Sequence, residues 1–219
     1  MAAKPPAREP CARETQSCPG MARALEKILG QHEQPEILDL GQPSGSAAVY
    51  LAGRGARVLV EDFQPPAPRP PREPGSDELP VPPPPIEIPH PDEKFDLVLA
   101  WEHWDFVPPD RLAEFAAEVR RVLAPGGWLV LFAQDSAPAE GARSDRSGSY
   151  RLTADDRIER LPGRGPARPR WAHPNRAIEQ ALSPLSIQAI HLQRNRMREF
   201  LVRKPAADPG KTRPESTPD

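Results

Sequence analysis

The sequence predicts an α/β protein built on a mostly parallel, doubly wound sheet, on three observations. The stretch from Glu36 to Asp62 reads as strand, glycine-bearing turn, small-residue helix and second strand. Phe95 to Trp101 and Trp128 to Ala133 are continuous apolar runs rather than alternating ones, as expected of strands covered on both faces. Between those runs, Leu112, Phe115, Val119, Val122 and Leu123 recur at helical spacing. Strands that alternate with helices in this way build a parallel sheet with helices on its faces.

Composition bounds the rest. The 219 residues suit one domain of ordinary size with tails, and a net charge of −2 gives no broad attraction to nucleic acid or to an anionic membrane. Neither is an expected partner. Thirty-two prolines and an aromatic content of 5% mean that less of the chain packs than its length suggests. Cys11 and Cys18 stand in a polar N-terminal segment with no second pair or histidine cluster at ligand spacing, so no metal is expected. No run approaches the roughly 20 apolar residues of a membrane span and no apolar signal core opens the chain, so the expectation is a soluble, cytoplasmic protein.

In chain order, residues 1–20 read as disordered, and Met21 to Gly30 as a helix with Met21, Leu25, Ile28 and Leu29 on one face. Ile37, Leu38 and Leu40 make a buried strand that stops at Gly41. In Gly41-Gln42-Pro43-Ser44-Gly45 the glycines allow a ligand close to the backbone, and Ser44 suits the N-cap of the helix that follows. The second strand, Ala56 to Val60, ends at Glu61 and Asp62. These acids lie about 20 residues past Gly41, the spacing at which a carboxylate reaches ribose hydroxyls. Gln64 to Pro91 holds 13 prolines in 28 residues and reads as an extended insertion, with Ile86-Glu87-Ile88 its best strand candidate.

Ligands of open α/β sheets sit outside the carboxyl ends of the strands, which makes Trp101, Glu102, His103, Trp104 and Asp105 pocket candidates. Trp101 or Trp104 suits stacking on an adenine or a substrate ring; His103 reads either as a general base or as a loop histidine. After the helix, Ala124-Pro125-Gly126-Gly127 turns the chain into the next strand. Residues 135–170 read as an insertion over the carboxyl edge, with a hairpin around Thr153 to Asp156 that reads either as a substrate lid carrying Tyr150 or an arginine or, for any single residue the preferred reading, as a mobile surface loop. Pro174 to Leu182 reads as a helix, Leu185 to Leu192 with Met197 to Val202 as an antiparallel strand pair, and 204–219 as a polar tail.

The motif from Glu36 to Asp62, the run Pro89 to Trp101 and above all RLAEFAAEVRRVLAPGGWLVLF resemble class I S-adenosylmethionine-dependent methyltransferases over roughly residues 21–203. The resemblance implies a Rossmann-like, mostly parallel seven-stranded sheet closed by an antiparallel pair. It also implies S-adenosylmethionine as cofactor, held by Asp39, Gly41, Gln42, Ser44, Gly45, Trp101 and one of Glu61 and Asp62. Glu102, His103 and Asp105 are the nearest groups for removing a proton from an acceptor, itself expected to be a small molecule. Two departures stand out: Pro43 takes the place of the family's middle glycine, and prolines occupy the place of a helix and strand. They motivate a second reading, a methyltransferase-like scaffold without catalysis. A nicotinamide dehydrogenase is disfavoured, because Gly-x-x-x-Gly lacks the Gly-x-Gly-x-x-Gly spacing.

Overall fold

The computed structural model describes residues 15–43, 46–66, 82–135, 148–161 and 167–206. A short strand β1, Thr15–Ser17, leads into helix α1, Pro19–Gln31. The first βαβ unit is β2 (Glu36–Asp39), α2 (Ser46–Ala52) and β3 (Arg57–Val60). The second is β4 (Phe95–Trp101), α3 (Leu112–Val122) and β5 (Leu123–Gln134). A hairpin of β6 (Ser149–Ala154) and β7 (Arg157–Leu161) follows, then α4 (Asn175–Leu182), β8 (Ser186–Leu192) and β9 (Met197–Arg203).

The central sheet runs β3-β2-β4-β5-β9-β8, with β2, β3, β4 and β5 parallel and β9 antiparallel to both β5 and β8. The continuous apolar runs serve both of its faces, because alternate residues point opposite ways. Leu38, Val98, Leu129 and Leu131 face one core with α3 and α4, whereas Ile37, Leu97, Leu99 and Val130 face the other with α1 and α2. At the bulge between Phe95↔Leu123 and Leu97↔Trp128 the Pro-Gly-Gly turn lies inside β5, so this strand begins earlier than its apolar run. A side chain at Gly127 would meet the Ala124 and Phe95 carbonyl oxygens at 2.8 and 3.0 Å, which is why glycine stands there.

Seven strands were expected in this sheet; among the described residues it has six. The Ile86–Ile88 segment buries both isoleucines in the core but forms no strand, since its proline neighbours supply no N–H for a ladder. Helix α3 satisfies the segment instead. Glu114 Oε1 and Glu118 Oε2 accept from Ile86 N and Ile88 N at 2.6 and 3.0 Å. Arg121 donates to the Ile88 and His90 carbonyls, each at 2.7 Å, and Arg111 to that of Pro84 at 2.7 Å. The charged side chains on and just before α3 thus do the work of a neighbouring strand.

The N-terminal segment is also more structured than expected. Thr15–Ser17 pairs antiparallel with β7 in a separate three-stranded sheet, β1-β7-β6. Three polar residues carry no periodic signal, so only their partner reveals them as a strand. Helix α1 starts at Pro19, and its first free N–H groups are met from across the fold: Gly20 N and Met21 N donate to Glu199 of β9 at 3.1 and 2.8 Å. Burial pushes the Glu199 carboxyl up from 4.5 to about 6, against the pull of those two donors.

Two predictions follow from this packing. Arg121→Ala should lower stability by about 2 kcal/mol, the worth of losing charge-assisted bonds to two buried-side carbonyls, while Arg120→Ala should cost under about 0.5. Chemical denaturation checks it, and equal losses would show that the clamp on the proline segment is idle. Glu199 has a raised folded-state pKa, so its contribution is largest below pH 4.5 and is lost as pH rises through about 6. The protein should therefore gain about 2 kcal/mol relative to Glu199→Gln between pH 8 and pH 4, a pKa change of about 1.5 converted at 1.36 kcal/mol per unit. A difference that is flat across this range would contradict it.

Candidate active site

The carboxyl ends of β2, β3, β4 and β5 come together on one edge of the sheet, and the β6–β7 hairpin lies over that edge. Tyr50 of α2 and Arg54 in the turn after it hold the hairpin turn at Asp155, with the Tyr50 hydroxyl donating at 2.8 Å. Helix α2 and β6 are therefore neighbours, and the hairpin lies over the strand ends.

Beneath the hairpin is a buried ionic cluster. Glu102, just past β4, accepts from Arg160 Nε of β7 at 2.8 Å, from Arg170 Nη2 at 2.7 Å and from the Tyr150 hydroxyl of β6. The same Arg170 nitrogen donates to Asp105 Oδ2 at 2.7 Å, and Arg170 Nε reaches that oxygen at 3.1 Å. Gln134 N, at the end of β5, also donates to Asp105, at 3.1 Å. Burial alone would raise the Glu102 pKa; Arg170 and Arg160 outweigh it and hold the carboxyl below its ordinary range. Asp105 faces one guanidinium rather than two, and its burial wins, pushing it up to about 7. Glu102 is thus the acid that stays ionised at neutral pH. The Tyr150 phenol is driven well above 10 by burial and by the Glu102 charge, so it remains a donor.

The glycine end of the site is equally enclosed. Asp39, 4% exposed, accepts from Gly41 N at 2.8 Å and from the Trp101 indole, and burial lifts its pKa to about 6 despite both donors. Trp101 has φ +40, a left-handed conformation that costs a non-glycine residue roughly 1–3 kcal/mol. Its indole lies on Gly41 so closely that a Cβ there would be 2.7 Å from Nε1. The other indole contacts are stacked rings: Tyr150 at a centroid distance of 4.8 Å and Phe132 at 6.0 Å.

The remaining sequence candidates are placed differently. His103 has Nδ1 2.8 Å from Ala100 O and Nε2 3.0 Å from Phe63 O, so both ring nitrogens face main-chain carbonyls and neither is open to an acceptor. Burial holds its pKa below the usual value, even though these carbonyls favour the charged ring. Glu61 Oε2 lies 3.3 Å from His90 Nε2, and exposed Asp62 accepts from Gln64 Nε2 at 2.9 Å. Gln42 is half-buried; Ser44 and Gly45 lie outside the described residues. Trp104 packs in the core. The structure therefore brings Asp39, Gly41 and Trp101 together, and separately Glu102 and Asp105. Arg160, Arg170 and Phe132 were not singled out by sequence; the only trace was arginine-rich polarity after the last parallel strand. No group of acids, histidines or cysteines able to hold a metal occurs among the described residues.

Comparison with known proteins agrees with this layout. Residues 38–131, from β2 through β5, match the family described as methyltransferase domain. Over that stretch the chain is similar to a methyltransferase domain. The fold is Rossmann-like, with β2, β3, β4 and β5 parallel and an antiparallel pair closing the sheet. Similar solved structures include a Burkholderia thailandensis 1,6-didemethyltoxoflavin-N1-methyltransferase bound to S-adenosylhomocysteine, at 15% identity and a TM-score of 0.45, covering 85% of this chain and 79% of that one. A Methanosarcina mazei S-adenosylmethionine-dependent methyltransferase is 16% identical with a TM-score of 0.48, over 83% of this chain and 97% of its own. No curated protein sequence matches the chain.

S-adenosylmethionine is the cofactor that the resemblance to methyltransferases implies. The donor set suits it in chemistry, with acids at the ends of β2 and β3 and a glycine between β2 and α2. The Trp101 indole stands against Gly41 and donates to Asp39, so a ligand reaching that carboxylate oxygen displaces the indole.

Arg170→Ala strands buried Asp105 and removes one of the two guanidiniums on Glu102, and should cost about 3–5 kcal/mol. Arg160, 28% exposed, should cost about 1 kcal/mol when changed to alanine, because Arg170 still compensates Glu102. Denaturant midpoints would decide, and equal losses would remove Arg170 from the centre of the cluster.

Proposed function

We propose that this chain transfers a methyl group from S-adenosylmethionine to a small-molecule acceptor. The match over residues 38–131 carries the reading, because it spans the strands whose carboxyl ends hold Asp39, Glu61 and Glu102. The cofactor supplies an electrophilic methyl group on a sulfonium, so the protein's task is chiefly to position the reactants. Asp39 and the Gly41 backbone would hold the amino-acid and ribose side, with Glu61 on the ribose hydroxyls.

The lid supports a small acceptor rather than a polymer, since the hairpin covers the strand ends and the net charge of −2 offers no basic track. For an acceptor that arrives protonated, Asp105, pushed up to about 7, is the group we assign as proton receiver, a basicity matched to neutral pH. Glu102, held below its ordinary range by two guanidiniums, anchors Arg170 beside it. His103 takes no part, as both its nitrogens are occupied.

Calorimetric titration with S-adenosylhomocysteine should show micromolar binding, weakened at least tenfold by Asp39→Ala in a variant shown by circular dichroism to be folded. No heat at millimolar ligand, from folded protein with and without the Trp101 side chain, would overturn the assignment.

A further inference from the structure

We infer that Trp101 is a displaceable plug of the cofactor site, tied through Tyr150 to the β6–β7 hairpin, so that the hairpin must lift before S-adenosylmethionine or its product can enter. The inference rests on the methyltransferase reading and adds to it a control on admission.

Four observations support it. The indole packs directly on Gly41, with Nε1 and Cδ1 at 2.7 and 2.8 Å from where a Cβ would stand. It is held there by Asp39, a group assigned to the cofactor, so the plug and the ligand compete for the same acceptor as well as the same space. The backbone at Trp101 is left-handed, φ +40, a conformation a tryptophan keeps only while its surroundings impose it. Those surroundings are Asp39 of β2, the Phe132 ring of β5 and, as the one movable part, the hairpin. Tyr150 lies parallel to the indole, 7° between planes at 4.8 Å, and its hydroxyl is bound to Glu102.

The plug and the lid are therefore one unit. Lifting β6–β7 removes Tyr150 from the indole, breaks the Arg160 contact to Glu102 and parts Asp155 from Tyr50 and Arg54. Freed of its stacking partner, Trp101 can turn away from Gly41 and release Asp39. A ligand that binds only the turned-out state pays for that opening, and its apparent affinity falls by the fraction of molecules that are open. Removing the indole abolishes the penalty.

The test is titration of S-adenosylhomocysteine into the full chain, Trp101→Gly and Tyr150→Ala. Trp101→Gly should bind at least tenfold tighter, since glycine clears the cradle and accepts the left-handed backbone; Tyr150→Ala should fall between it and the unaltered protein. In the unaltered protein, the ligand should speed amide hydrogen exchange in residues 149–161, a readout that needs no variant to fold. Equal or weaker binding by Trp101→Gly, or slower exchange in the hairpin on ligand addition, would overturn the plug while leaving the methyltransferase reading in place. Absence of binding by all three folded proteins would overturn both.

Discussion

The Glu102 carboxylate, a buried charge at the end of β4, ties three remote parts of the chain to the sheet. Its partners are the phenol of β6, the guanidinium of β7 and the guanidinium of Arg170 in the segment that leads to α4. Burying one carboxylate among apolar neighbours is costly, and it persists here because each oxygen is met by a charged donor. The same arrangement sets the protonation of its neighbour. Asp105 shares Arg170 without a second cation and so sits near neutrality. Lid position and acid–base character thus come from one cluster rather than from separate devices.

Next to that cluster the glycine motif has kept its chemistry while changing its occupant. Asp39 and Gly41 are placed as a βαβ cofactor loop places them, but the donor on the Asp39 carboxylate is the protein's own indole. A residue of smaller volume at the end of β4 would leave Gly41 uncovered. Trp101 covers it, and the stacked rings of Tyr150 and Phe132 make the closure part of the core beneath the hairpin.

The opposite face shows a second substitution. Where a helix and strand would cover α3, a proline-rich segment inserts Ile86 and Ile88 into the core and takes its hydrogen bonds from the helix's own glutamates and arginines. Proline forbids the ladder, but extended backbone still exposes carbonyls and alternate N–H groups, and long charged side chains reach them. The core is completed without another strand.

Much of the fold was legible in the sequence. Continuous apolar runs located β2, β4 and β5, helical spacing located α3, and the closing antiparallel pair followed from two short apolar stretches around a turn. These are local patterns, set by side-chain periodicity and by the conformations that glycine and proline permit or forbid, and so a chain can display them before it folds. The acids at the strand ends were legible for the same reason. The partners of those acids were not: Tyr150, Arg160 and Arg170 reach Glu102 across 48, 58 and 68 residues, and no local spacing encodes such a meeting. The strand at Thr15–Ser17 and the indole over Gly41 belong to this second group. Sequence determined which groups of the right chemistry stand at the ends of the strands; only tertiary packing decided which are paired, which are ionised and which space is filled, because burial and proximity, not residue type, fix those properties.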